Sequence, residues 1–445
     1  MRQERTIQAS IFDLFAEHEI GRELKAMSGW LDNNPALAAL VAKDLRRLGV
    51  KETGRQGLPA ESALRRALLK QYRQLSYEEL AFHLEDSASF RAFARLPLSW
   101  TPKKSALHKT IGAIRAETWE TITQMLLSSA RAERIETGRV IRLDSTVAAA
   151  LIHEPSDSSL LWDAVRATVR LLKEADALLG RKPDWRDRRR AAKRRARAIQ
   201  FTRGRPHRVK LYRELIGIAR ATLTQLREAE AQLSSQNGPQ AALWQAKASH
   251  YRPLVERIIE QSERRVLKGE HVPACEKLVS LFEPHADIIV KGGRDTSYGH
   301  KLNLVTGRSG LILDVVIEGG NPADSERLMP MLERHAAFFG QAPRQAAADG
   351  GFASRANLSQ AKAHGVRDMA FHKKCGLSIE DMVKSRWVYR KLRNFRAGIE
   401  AGISCLKRAY GLARCTWRGL EHFKAYVWSS VVAFNLALFT RRAPA

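Results

Sequence analysis

The chain has 445 residues, 44% hydrophobic and 27% charged, which is ordinary globular usage and excludes wholesale disorder. At about 100–200 residues per domain there is room for two to four domains. Its 75 Lys+Arg against 47 Asp+Glu leave a formal charge of +28 and a pI near 10.4. A surplus of that size repels itself unless a polyanion neutralises it. Nucleic acid is therefore the first partner expected and an anionic membrane surface the second, and a small-metabolite enzyme is the poorer reading. The four cysteines, Cys275, Cys375, Cys405 and Cys415, make no CxxC pair and no zinc-finger spacing, so they are expected as buried free thiols. Met1–Thr6 leads into no apolar signal core. The longest apolar stretch, Ala425–Phe439, has 15 residues interrupted by Ser429, Ser430 and Asn435. A membrane span needs roughly 20, so a soluble intracellular protein with a buried terminal helix is expected.

Residues 1–135 read as successive helices, an all-α N-terminal domain. Asn34-Pro35 starts one, with Leu37, Leu40, Val41 and Leu45 on one face. Leu58-Pro59 starts another, carrying Leu64, Leu68 and Tyr72. Ser76 followed by Glu79 has the form of a capping box. A further helix opens near Ser105 and runs through Ile111, Ile114, Trp119 and Ile122. Short helices with basic faces suit a helix-turn-helix-like DNA-binding module, against a plain helical bundle.

Beyond it lies a domain over residues 136–440. Val140-Ile141-Arg142-Leu143 reads as a buried strand with Asp144 at its end. A helical insert over residues 150–269 then interrupts it. Within the insert, Arg181–Arg213 holds fifteen Lys/Arg and two Asp, either a solvated surface or a phosphate-binding one. Trp162, Trp185 and Trp244 are expected as packing residues, with stacking on an unpaired base as the alternative. Strand character returns at Lys277–Phe282. Tyr298–Thr306 and Leu311–Ile317 flank the turn Thr306–Gly310 as a hairpin. Pro322–Glu326 opens a helix ending near Gly340. Gln345–Ala348 is a strand that runs into Asp349-Gly350-Gly351-Phe352. A helix over Ser354–His364, a strand over Asp368–Phe371 and helix from about Ser385 complete a mixed α/β order.

Two carboxylates at strand ends, Asp144 and Asp349, would converge at the C-terminal edge of the sheet, where open α/β sheets place their sites. Paired acids repel, and a divalent cation such as Mg²⁺ removes that penalty. Arg393, Arg396, Glu400 and Lys407 fall in one stripe of a helix, beside the apolar Phe395, Ile399, Ile403 and Leu406. That stripe is either an exposed ion-pair ladder or a means of aiming Glu400 at the two Asp residues while Arg396 and Lys407 meet phosphate.

Asp144-Ser145-Thr146, Asp349-Gly350-Gly351-Phe352 and the Arg396-x3-Glu400-x6-Lys407 spacing resemble the DDE site of bacterial insertion-sequence transposases, of the IS4/IS5-like superfamily. Phe282–His285, Tyr298–Lys301 and Asn321–Asp324 are similar to its ISNCY-type members, and Leu58 to about Leu98 resembles their N-terminal helical module. The resemblance implies an RNase H-like mixed-sheet catalytic core, with Asp144, Asp349 and Glu400 holding two Mg²⁺ ions (Mn²⁺ as a substitute) for DNA cleavage and strand transfer. It departs from the family's signature at Arg393, where Tyr is expected. Double-stranded DNA, the element's ends and its target, is the implied partner. A homodimer on paired ends follows from that activity, in the cytoplasm with the nucleoid and with no membrane. Arg393, Arg396 and Lys407, with Arg188, Arg189, Arg190, Arg194 and Arg195 of the insert, are the expected DNA contacts. A non-catalytic basic DNA-binding protein, a decayed transposase, is one alternative, and a metal-dependent nuclease without strand transfer is the other.

Overall fold

A computed structural model describes residues 18–49, 57–97, 100–236, 238–291, 295–373 and 375–442. Met1–Thr6 and Leu98, which enter the readings above, lie outside the described residues. The chain divides into two compact units, one of residues 1–149 with 300–445 and the other of residues 150–299. The helices before residue 135 thus share a unit and a hydrophobic core with the sheet, and the interrupting unit runs past residue 269 to Gly299.

In the first unit the helices are α1 (Glu19–Asp32), α2 (Ala36–Arg46), α3 (Ala60–Tyr72), α4 (Tyr77–Asp86), α5 (Ala88–Phe93), α6 (Lys104–Ile111) and α7 (Ala116–Ala132). The expected capping box opens α4: Glu79 N–H donates to Ser76 Oγ at 3.1 Å and Ser76 N–H to Glu79 Oε2 at 2.7 Å. Ser105–Ile122 is not one helix but two. The break falls at Gly112–Arg115, where Asp44 of α2 accepts from Arg115 N–H at 2.9 Å and from Thr118 Oγ1 at 2.6 Å. A carboxylate from a distant helix thereby caps α7, and local periodicity carries no trace of that. Every residue of α3 is buried, including Arg65, Arg66 and Lys70.

The sheet strands are β1 (Val140–Ala149), β2 (Asp287–Lys291), β3 (Asp295–Gly307), β4 (Ile312–Ile317), β5 (Gln345–Ala348) and β6 (Asp368–Phe371). In the first unit β3, β1, β5 and β6 lie side by side in that order, with β4 antiparallel on β3 as the expected hairpin. β1, β5 and β6 are parallel. The fold is therefore mixed α/β. Helices α12 (Leu328–Phe339), α13 (Arg355–Ala363), α14 (Ile379–Met382), α15 (Arg386–Ala409) and α16 (Leu420–Arg442) complete the unit. α15 packs across β1, β5 and β6. Ala347, in register with Arg142 and so on the face that meets α15, has a short and fully buried side chain, which leaves room for the helix there. α16 is long and apolar enough to cross a membrane, yet it is buried against α3 and α7 as a core helix.

The second unit packs α8 (Asp157–Leu179), α9 (Arg189–Phe201), α10 (Arg205–Leu233) and α11 (Pro239–Ser262) around its own core. Trp185 donates to Asp176 Oδ2 at 2.6 Å and Trp244 to Leu171 O at 2.8 Å, so both indoles are engaged inside the bundle. Lys277–Phe282 is not a strand. Its backbone is satisfied by a side chain: Leu278 N–H donates to Gln261 Oε1 at 2.8 Å and Gln261 Nε2 to Leu278 O at 3.1 Å, while Leu278 and Leu281 join the helical core. The strand that pairs with residues 295–299 is β2 instead. Of the free thiols only Cys415 is buried; Cys275, Cys375 and Cys405 are exposed, contrary to the expectation for apolar cysteines.

Candidate active site

Parallel register brings the two strand acids together. Leu143 pairs with Ala348, so Asp144 and Asp349, the next residues, stand on neighbouring strands, about 4.8 Å apart in the backbone and on one face. β1 does not end at Asp144 as expected. It stays extended to Ala149, which bridges to the segment after α15 through Ala149 N–H to Ala413 O (3.1 Å) and Cys415 N–H to Ala149 O (2.8 Å).

The third acid arrives on α15. This helix buries Val388, Tyr389, Leu392, Arg396, Ile399 and Leu406, a stripe at spacings of three and four in which Arg396 is the charged member. The Arg396 guanidinium gathers all three carboxylates. Its Nη2 lies 3.0 Å from Asp144 Oδ2 and 3.4 Å from Asp349 Oδ1, and its Nη1 donates to Glu400 Oε1 at 2.8 Å. Burial is graded: the Asp144 side chain is 10% exposed, that of Asp349 39% and that of Glu400 65%. The site is thus a shallow acidic notch with a cation at its floor. Expected to face phosphate, Arg396 is turned onto the acids.

Three hard oxygen ligands without a soft one suit Mg²⁺ or Mn²⁺. As the side chains stand, directed at Arg396, no three Asp, Glu, His or Cys among the described residues are grouped closely enough to hold a metal. The donor set fits; the guanidinium occupies the point on which it converges.

Several neighbours had no assigned role in the sequence. Arg142, two residues before Asp144 on β1, donates through Nη1 to Phe395 O at 2.7 Å and through Nε to Thr306 Oγ1 at 2.9 Å, and it lies over the Phe395 ring at 4.7 Å. It ties α15 to the sheet beside Arg396. An ideal Cβ on Gly398 would come 2.3 Å from Arg142 Nη1, so a glycine admits this contact. Asp324 pairs with Lys301 at 2.6 Å and accepts from Ser145 Oγ at 3.3 Å; a Cβ on Gly351 would meet its Oδ2 at 2.8 Å. Asp324 and Lys301, the last residues of the Asn321–Asp324 and Tyr298–Lys301 motifs, thus lie beside Ser145, after Asp144, and Gly351, after Asp349. Their sequence signal was motif likeness alone.

Arg393 is exposed on α15, and Lys407 is half-buried two turns beyond Glu400. The five insert arginines belong to the second unit and divide in two. Arg188 donates to Gln225 Oε1 at 2.6 Å, Arg189 grips Asp187 and Arg195 pairs with Glu214. Arg190 and Arg194 instead stand exposed with Lys193 and Arg197, one cationic stripe along α9.

No curated protein and no solved structure matches the chain. Two family models do. Residues 269–436, which include Asp349, Arg396 and Glu400 but not Asp144, match the transposase DDE domain, and residues 13–116 match the transposase domain DUF772. The chain is thus similar to a transposase DDE domain over residues 269–436 and, ahead of it, to a second transposase domain over residues 13–116.

Proposed function

We propose that the protein is a DNA transposase of the IS4/IS5-like type, with an RNase H-like core in which Asp144, Asp349 and Glu400 carry the phosphodiester chemistry. The observation that carries this reading is their convergence, from β1, from the end of β5 and from α15, on the one Arg396 guanidinium. Two Mg²⁺ ions bound by these carboxylates would supply charge neutralisation and Lewis-acid polarisation for an in-line displacement. The chain's own residues do the rest. Arg396 balances the acids in the free protein and is the group that yields when cations enter. Arg142 and Gly398 fix the helix that brings Glu400, and Asp324, paired with Lys301, buttresses Ser145 after Asp144 and Gly351 after Asp349. The α9 stripe meets DNA phosphates, the helices before residue 135 read the element ends, and a homodimer pairs two ends.

The test is incubation of the full chain with end-bearing duplex and Mg²⁺, scoring nicked and joined products. Asp144→Asn, Asp349→Asn and Glu400→Gln, near-isosteric but poor metal ligands, should each abolish cleavage and keep DNA binding. A variant that cuts normally removes its residue from the triad. Nicks without joined products would favour the nuclease alternative, and binding without nicks the non-catalytic one.

A further inference from the structure

Lys70 is an anomaly in the first unit. It lies on the fully buried α3, is 6% exposed, and has neither a carboxylate within ion-pair distance nor a hydrogen-bond acceptor among the described residues. Its ammonium stands 4.8 Å over the Tyr77 ring, which offers partial compensation only. A buried charge left in that state is costly, and burial holds the Lys70 pKa down to about 8, against the weaker pull of Cys415 and Glu79.

The ammonium faces a cleft of about 520 Å³ that Lys104, Lys407 and Arg414 also line, at the amino-terminal end of α4. Two carboxylates share the lining, and both are engaged: Glu78 pairs with Lys104 at 3.0 Å and Glu79 closes the capping box. With the Lys104–Glu78 pair set aside, three cationic side chains against Glu79 leave the lining a positive surplus that attracts anions. Lys407 also connects it to the carboxylate notch. It follows Glu400 by seven residues, about 10 Å of helix at 1.5 Å per residue, or roughly three steps of duplex at 3.4 Å each.

We propose that this cleft is a phosphate site, in which Lys70, Lys407 and Arg414 bind a backbone phosphate of the DNA strand held at the carboxylates, about three nucleotides from the reacting bond. The proposal rests on the transposase reading for its ligand, and on the unpartnered Lys70 for its place. It gives the helices of residues 60–111 a hand in gripping the reacting strand. Tetrahedral phosphate oxygens accept from an ammonium and a guanidinium together, and the anion would supply the counter-charge that Lys70 lacks.

Lys70→Met, apolar and of similar length, tests it in the full chain. Thermal unfolding is followed with inorganic phosphate and with NaCl at equal ionic strength, and binding to end-bearing duplex is followed against salt. Wild type should be stabilised by phosphate beyond the NaCl control and the variant should not. The variant should bind DNA about tenfold more weakly, with a salt slope lower by about 0.9. Equal phosphate stabilisation of both proteins overturns the site. Phosphate stabilisation confined to wild type, with DNA binding and salt slope unchanged, overturns the DNA assignment and leaves a free-phosphate site. If Lys70→Met does not fold, the exposed Arg414→Gln takes its place with the same expectations. The functional reading fails separately: wild type that neither binds nor cuts end-bearing DNA sinks it, while the phosphate arm still decides the cleft.

Discussion

Gly398→Ala asks whether α15 is locked to the sheet or merely rests on it. An Ala in a helix interior is favoured over Gly by about 1 kcal/mol, so on propensity alone the variant gains stability. Its Cβ, however, would come 2.3 Å from Arg142 Nη1. That nitrogen is pinned at 2.7 Å to Phe395 O, with Nε held at 2.9 Å by Thr306 Oγ1 and the guanidinium over the Phe395 ring. Either Arg142 leaves or the helix lifts. Expelling it forfeits two charge-assisted hydrogen bonds and a cation–π contact, about 2–4 kcal/mol for a half-buried group. The net expectation is a loss of about 1–3 kcal/mol, read as a lowered unfolding midpoint.

If the helix lifts, Arg396 and Glu400 move with it, and a displacement of about 1 Å can cost about 100-fold in rate. The assay is cleavage of end-bearing duplex beside a binding measurement, with cleavage falling and binding held. A double-mutant cycle isolates the cause: in an Arg142→Leu background the clash is gone, and Gly398→Ala should become neutral or stabilising. A gain of about 1 kcal/mol in the single variant with cleavage intact would refute the docking role, because it would mean Arg142 swings aside at no cost.

Three further outcomes are expected. Arg65→Ala should lower stability by about 3–5 kcal/mol, because the fully buried guanidinium is bonded to Glu61 at 2.9 Å and Asp32 at 2.8 Å and its loss takes a buried cation from both acids; a drop below about 1 kcal/mol contradicts this. Arg396→Gln should destabilise the free protein by about 2–3 kcal/mol, discounted for the exposure of Asp349 and Glu400, yet raise the thermal stabilisation by millimolar Mg²⁺ above that of wild type; equal Mg²⁺ shifts would show that the guanidinium and the cation do not compete. Exchanging Arg190, Lys193, Arg194 and Arg197 together for Gln should lower the salt slope of DNA binding by up to about 3–4 units, and Arg188, Arg189 and Arg195 together by less than about 1, since these three are already tied within the protein; the reverse ranking would refute the division.

What was legible in the sequence had a local cause. The capping box at Ser76, the hairpin around Thr306–Gly310, the strand before Asp349 and the helix that starts at Ser354 are each written within a few residues, and each stands where periodicity or turn chemistry puts it. The misplacements had distant causes. Asp44 breaks the helix at Gly112–Arg115 from 71 residues away, and Gln261 holds Leu278 in place of a neighbouring strand. Convergence of Asp144 and Asp349 was readable only as far as both follow β-prone runs; their adjacency is a matter of register, Leu143 against Ala348. Arg396 shows the limit most clearly. Helical spacing puts it on one stripe with Glu400, but which edge of that stripe meets the sheet depends on what the sheet offers there, the small Ala347 of β5 in register with Arg142, whose guanidinium holds Phe395 O.

That orientation bears on the electrostatics of the proposed reaction. A chain with a formal charge of +28 draws a polyanion from any side, but three carboxylates in one notch repel the phosphate that must enter it. Arg396 offsets one of the three charges, so the free notch keeps a net negative charge and phosphate is disfavoured there. In the proposed reading, divalent cations held by these carboxylates would reverse the local sign and release the guanidinium. On this logic, DNA binding by the cationic stripe and the Lys70 cleft should persist in EDTA, whereas entry of the reacting phosphate into the notch should require the metal. Footprinting with and without Mg²⁺ separates the two: protection of flanking phosphates should be equal in both conditions, and protection at the reacting bond should appear only with Mg²⁺. Full protection of that bond in EDTA would mean that the notch is not repulsive and that Arg396 already serves phosphate.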